Sequence, residues 1–167
     1  GDTQGTNPES HYKLCSMILD VAEKYGCDMI YTLGGFGVGH MVRKPKVFGA
    51  VTHESLLKPL KQAGVSFEKT GGGIVGAAGL LLGLGRLRKM KGVCLMGETH
   101  GQIIDARSAK AVLEVLGKIL KLEIDTKELD KRSKETEKAL ERVRKLEKQR
   151  MAMESIPLEP EGPSYIR

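Results

Sequence analysis

The spacing of apolar residues changes repeatedly along the chain, and each change marks an element. Tyr12, Leu14, Cys15, Ile18, Leu19, Val21 and Ala22 recur at helical spacing. Pro8 behind Asn7 is a good first helical residue after an N-cap, and Gly26 is a stop, so the pattern predicts one amphipathic helix. "MIYTLGG" (29–35) reads as a short buried strand running into a glycine turn, and "KVFGAVT" (46–52) as a second strand. A helix over 54–63, bent or shortened by Pro59, leads to a third strand at 65–69. "GGGIVGAAGLLLGLGRLRKM" (71–90) predicts an apolar helix, "GVCLMGE" (92–98) a strand, and 106–120 a closing helix. Alternating strands and helices predict an α/β fold with a parallel-type sheet covered on both faces.

The pattern stops near 122–125. Nearly all of the 21 glycines lie before that point, whereas 125–153 contains no Gly or Pro and is dominated by charge. Three parts are therefore expected: an α/β core over 1–124, a charged helical arm over 125–153, and a proline-rich extended tail over 154–167. In the arm, Glu128 with Arg132 and Glu141 with Lys145 are favourable helix neighbours, each worth about 0.2–0.5 kcal/mol. Leu129, Thr136, Ala139, Leu140, Val143, Leu146 and Met153 form a stripe wide enough for one neighbour only. That neighbour is either the chain's own domain or another subunit. The opening is unusual, because the first helix has no strand before it and Gly1-Asp2-Thr3 resembles the turn that follows one. An N-terminal portion of the same sheet is expected to be missing.

Composition narrows the function. Hydrophobic residues at 40% and charged residues at 29% exclude a wholly disordered chain, and no apolar run approaches the ~18 residues of a membrane span. The net charge of +6 favours an anionic partner, but 4% aromatics and no Trp leave little for base stacking, so nucleic acid is not expected. Asn7 is the only Asn, Gln is scarce, and Lys, Arg and Glu abound, the bias of proteins from hot environments. Nothing directs export, so a cytoplasmic location is expected. Cys15, Cys27 and Cys94 form no metal-binding pair and read as reduced, buried thiols.

Three segments carry candidate chemistry. Gly71-Gly72-Gly73-Ile74-Val75-Gly76 matches GxGxxG between a predicted strand and helix, with Glu98 ending the next strand; such a loop can hold a pyrophosphate while the acid takes a ribose hydroxyl. Gly76, Gly79, Gly83 and Gly85 also suit a helix lying close to a sheet with no ligand. "LGGFGVGH" (33–40) is a second glycine turn, without the lysine of a P-loop. "MGETHGQIID" (96–105) gathers Glu98, Thr99, His100 and Asp105; its spacing matches no zinc pattern, and Asp105 is a natural N-cap for the helix at Ala106. No catalytic residue, cofactor or metal site is assigned. The tail ends Pro163-Ser164-Tyr165-Ile166-Arg167, an aromatic and an aliphatic side chain beside a free carboxylate on a stiffened tether, which suits insertion into a partner's pocket.

"GDTQGTNPESHY", "IYTLGGFGVG", "PKVFGAVT", "GGGIVGAAGLLLGLG", "GVCLMGETHG" with "IIDARSAKAVLEVL", and "LEIDTKELDKRSKETEKALERV" occur in the order that resembles the archaeal proteasome-assembly-chaperone family, over about residues 1–147. "TLGG" and "LMGET" are the most specific segments. The resemblance implies a three-layer αβα fold of the phosphorylase/hydrolase-like class with a further N-terminal segment. It implies no catalysis, and homo-oligomers that engage the α-ring of the proteasome core particle. It also implies docking through a C-terminal hydrophobic-Tyr-any motif, whose Tyr is penultimate; here Tyr165 is third from the end and Ile166 penultimate. Tyr165, Ile166 and Arg167 are the expected partner-binding residues. Some relatives have been labelled carboxylate-amine ligases, and this chain has no nucleotide-plus-metal constellation to match. The alternative is a nucleotide-binding enzyme, of ligase or dehydrogenase type, using Gly71–Gly76.

Overall fold

In the computed structural model, residues 7–67, 73–102, 104–138 and 141 are described. Helix α1 (Pro8–Lys24) begins where its cap predicts: the Asn7 side chain accepts from the Ser10 amide at 2.8 Å, and the Ser10 hydroxyl accepts from the Asn7 amide at 3.3 Å. This reciprocal box satisfies two donors that the first turn would otherwise leave unpaired. Four strands follow, β1 (Met29–Gly37), β2 (Val47–Val51), β3 (Val65–Ser66) and β4 (Lys91–Thr99), in the spatial order β1-β4-β2-β3.

The sheet is mixed, which corrects the expectation of a parallel-type sheet. β1 and β4 are parallel, from Met29 opposite Lys91 to Gly37 opposite Thr99, and β2 is parallel to β3. β2 runs antiparallel to β4, with Val47 opposite Gly97 and Val51 opposite Val93. A parallel return needs a crossover of about a dozen residues, usually a helix. Only residues 38–46 join β1 to β2, and they hold no helix.

Pro59 falls in the first turn of α2 (Leu57–Gln62), behind a 3-10 turn at Glu54–Leu56, where its missing N–H leaves no helical bond unmade. The helix expected over 71–90 occupies only α3 (Ala77–Leu87), because Gly76, at φ 87°, holds the chain out of helical conformation immediately before it. The strand expected over 65–69 is described only as Val65–Ser66. α4 (Ala106–Leu120) has the predicted bounds, and Asp105 Oδ1 accepts from the amides of Arg107 and Ser108 at 3.1 and 3.3 Å.

Successive side chains of β4 point to opposite faces and are buried on both. Val93 and Leu95 join Val47, Leu60, Val65, Val112 and Val115 in the core beneath α2 and α4. On the other face Cys94 is buried, and a methyl placed at Gly92 would strike Leu82 of α3. α3 and α4 therefore cover opposite faces of the sheet. Gly97 brings α4 to contact distance: a Cβ there would meet the Ser108 hydroxyl and lie 2.8 Å from the Ser108 carbonyl oxygen. Cys15 and Cys94 are buried, and burial pushes both thiols above their ordinary pKa; Cys27 is exposed, contrary to expectation, because it lies beyond the α1 stop.

After α4 the chain reverses at Lys121, a left-handed residue at φ 55°, and the Leu122 amide donates to the Gly117 carbonyl at 2.9 Å. A fifth helix, α5, is described over 127–138. The Lys110 ammonium meets Asp130 at 2.6 Å and the Arg107 guanidinium meets Glu137 at 2.8 Å. The described part of the arm thus lies along α4 of its own domain. The expected Glu128–Arg132 pair is present at 3.3 Å, whereas Glu141–Lys145 and the stripe beyond Thr136 lie outside the described residues.

Candidate functional site

The described part of the glycine segment and Glu98 are each engaged in contacts of their own. Gly71 and Gly72 lie outside the described residues. Gly73, Ile74 and Val75 approach α3 as irregular chain, and Gly79 packs so tightly that a Cβ would strike the Ile74 carbonyl. This is the structural use of helix glycines that the sequence left open. A cavity of about 600 Å³ lies between the amino ends of α1 and α3, lined by Asn7, His11, Tyr12, Ile74, Gly76 and Leu80 among others. Glu98 is not among its lining residues. Its carboxylate accepts from the Lys46 amide at 3.1 Å while its own amide donates to the Lys46 carbonyl at 2.9 Å. Glu98 therefore clasps the entry to β2.

The other strand-end loops are likewise held by backbone contacts. The Val38 amide donates to the Thr99 carbonyl at 2.8 Å, so the turn after β1 is tied to the end of β4. Gly37 and Gly101 face each other so closely that a Cβ on Gly101 would lie 3.3 Å from the Gly37 Cα. His40 Nδ1 stands 3.0 Å from the Val38 carbonyl. Asp105 caps α4 through Oδ1, while its buried Oδ2 and the buried His100 Nδ1 have no hydrogen-bond partner among the described residues. Among the described residues no three His, Cys, Asp or Glu side chains gather as a metal site would need.

The surface presents a different candidate. α1 buries only Cys15 and Leu19, against α3, where the Cys15 thiol faces the Ala77 carbonyl at 3.9 Å. Tyr12, Leu14, Met17, Ile18, Val21 and Tyr25 remain exposed, so the helix carries a second apolar face. Reading the helix as simply amphipathic missed this face. Its signal was the width of the apolar distribution, since Leu14, Ile18, Val21 and Tyr25 form a row distinct from Cys15 and Leu19. The expected partner-binding residues Tyr165, Ile166 and Arg167 lie outside the described residues.

The model of the PAC2 family matches residues 3–144. The chain belongs to the PAC2 family. A protein of Methanocaldococcus jannaschii described as uncharacterised is 44% identical over 167 residues, which cover 99% of this chain and 65% of that protein. The crystal structure of Pyrococcus furiosus PbaB, described as an archaeal proteasome activator, is 46% identical with a TM-score of 0.79, covering 86% of this chain and 63% of that one. P. furiosus PbaA, described as an archaeal homologue of proteasome-assembly chaperone, is 30% identical with a TM-score of 0.76, covering 91% and 64%. This PAC2 chain thus spans a little under two thirds of the length of these relatives. The α/β architecture expected from the sequence, a sheet flanked by helices, is the architecture of its PAC2 neighbours.

Proposed function

We propose that this chain is a non-enzymatic proteasome-binding factor or proteasome assembly chaperone, acting in the cytoplasm as a homo-oligomer that engages the α-ring of the core particle. The observation that carries the reading is its likeness to PbaB, at 46% identity over most of the chain, together with the PAC2 match. The site geometry agrees with this reading. Glu98, which a nucleotide enzyme would turn toward the glycine segment, is occupied with the Lys46 backbone, and the glycines bring chain and helix together. Tyr165, Ile166 and Arg167 are the residues assigned to the partner, since Pro157, Pro160 and Pro163 restrict the tether before binding and leave less entropy to be lost.

The test is a pull-down of archaeal proteasome α-subunits by the 167-residue chain and by a chain ending at Pro163. The full chain retains the α-subunits, and truncation lowers retention at least ten-fold. Equal retention removes the tail from the mechanism, and no retention by the full chain overturns the function.

A further inference from the structure

The arm is joined to its domain in two different ways. As far as Ile124 the turn after α4 is packed: a Cβ on Gly117 would lie 2.9 Å from the Leu122 carbonyl oxygen and 3.5 Å from the Ile124 side chain, so the turn occupies the space that this glycine leaves open. Beyond Ile124 packing gives way to charge. No residue of α5 over 127–138 is buried, and those with the least exposure, Leu129, Asp130, Ser133 and Thr136, are half-buried. α5 therefore lies on α4 without entering a core.

Two ion pairs hold it there. Lys110 Nζ stands 2.6 Å from Asp130 Oδ1, and Arg107 Nη1 stands 2.8 Å from Glu137 Oε1. On the α4 side the cations are steadied by Glu114, 3.8 Å from Lys110, and by Asp105, 3.6 Å from Arg107. On the α5 side the carboxylates of Asp130 and Glu137 are 47% and 51% exposed, so ions in solution reach them. Exposed pairs of this kind shift an equilibrium by about 1.4- to 5-fold each, which leaves the contact within reach of screening. The helix itself is built as a unit. Asp125 Oδ1 accepts from the Lys127 amide at 2.9 Å, the Asp130 amide donates to the Thr126 carbonyl at 3.1 Å, and Glu128 pairs with Arg132 at 3.3 Å.

We propose that α5 is a strap: it closes on α4 through the Lys110–Asp130 and Arg107–Glu137 pairs, and it swings out, pivoting between Ile124 and Lys127, when those two pairs are screened. At about 1.5 Å per residue, the stretch 127–138 is about 18 Å long. Closed, the strap returns the chain to Arg107. Open, it carries residue 138 away from α4 and bares Arg107 and Lys110 to solvent. A helix near this length is marginal in water once its packing is lost, so release also frays α5 and frees its amides to exchange. The strap follows from contacts within the chain and does not rest on the proteasome reading.

The test is amide hydrogen exchange of the 167-residue chain in 0.1 M and 1 M KCl, between which the screening length falls from about 10 Å to about 3 Å. The amides of 131–138 exchange at least three-fold faster in the higher salt, while those of 111–120 in α4, the internal reference, keep their rates. The double variant Asp130→Asn with Glu137→Gln, which keeps the shapes and removes the charges, exchanges fast over 131–138 in both salts and retains the melting temperature of the parent chain. Glu128→Gln removes a pair internal to α5 and leaves the salt response in place. The proposal is overturned if 131–138 exchanges at one rate in both salts, if the double variant behaves as the parent does, or if Glu128→Gln abolishes the salt response.

Discussion

Replacing Gly97 by Ala tests the packing on which the α4 face depends. The new methyl would meet the Ser108 hydroxyl, 2.8 Å from the Ser108 carbonyl oxygen and 2.9 Å from a Val112 methyl. The hydroxyl can rotate or be removed, but the carbonyl belongs to the helix backbone. Ordinary contact begins at 3.4 Å, so α4 must retreat by about 0.6 Å, and a gap of roughly 0.5–1 Å forfeits a quarter to a half of each dispersion contact it opens. The contacts at stake are those of Val112 and Val115 with Val93 and Leu95. Overpacking of this kind destabilises by about 1–3 kcal/mol, and the rigid carbonyl places Gly97→Ala in the upper half of that range. For a chain of this length that is a fall in melting temperature of roughly 4–12 °C, read by circular dichroism. Adding Ser108→Ala should restore only part of the loss, because the carbonyl and Val112 remain. Gly83→Ala, which meets nothing within 4 Å on α3, should stabilise by about 0.5–1 kcal/mol and serves as the control. An unchanged melting temperature for Gly97→Ala would refute the claim that α4 and β4 are in contact there.

Two further outcomes follow from the thiols and a half-buried phenol. Iodoacetamide at neutral pH should label Cys27 alone, with Cys15 and Cys94 reacting only in urea; mass spectrometry that finds native labelling at Cys94 contradicts its burial. Burial also raises Cys15, Cys94 and Tyr31 above their ordinary values of 9.0, 9.0 and 10.0. These groups therefore ionise first in the unfolded chain, so their contribution is fully present below about pH 9 and is lost as pH rises through the folded values. The urea midpoint should fall across that range, less steeply in Cys94→Ala, and a midpoint that rises would contradict the assignment.

The parts of the fold that were legible in the sequence are those where a periodic pattern ends on a residue with its own local chemistry. α1 starts at the Asn7 cap and α4 at the Asp105 cap as read, because one side-chain oxygen satisfies first-turn amides regardless of what surrounds the helix. The direction of β2 was not legible, since alternation states that a strand exists and says nothing of its neighbour; the short 38–46 connection held the clue. The α3 start was misplaced because glycines and aliphatics fit both helix and turn until Gly76 takes a left-handed conformation. At the candidate site, the GxGxxG spacing matched a nucleotide loop, but spacing cannot report that Glu98 is engaged with Lys46. The second face of α1 was present in the residues and hidden by treating apolar spacing as one stripe.

The reversal at Lys121 sets an exit. α5 runs back along α4, so that Glu137 stands beside Arg107, two residues from the loop that leaves β4. The chain therefore sets out toward its last thirty residues from the carboxyl ends of β1 and β4, on the side where the glycine turns lie, and not from the Lys121 corner.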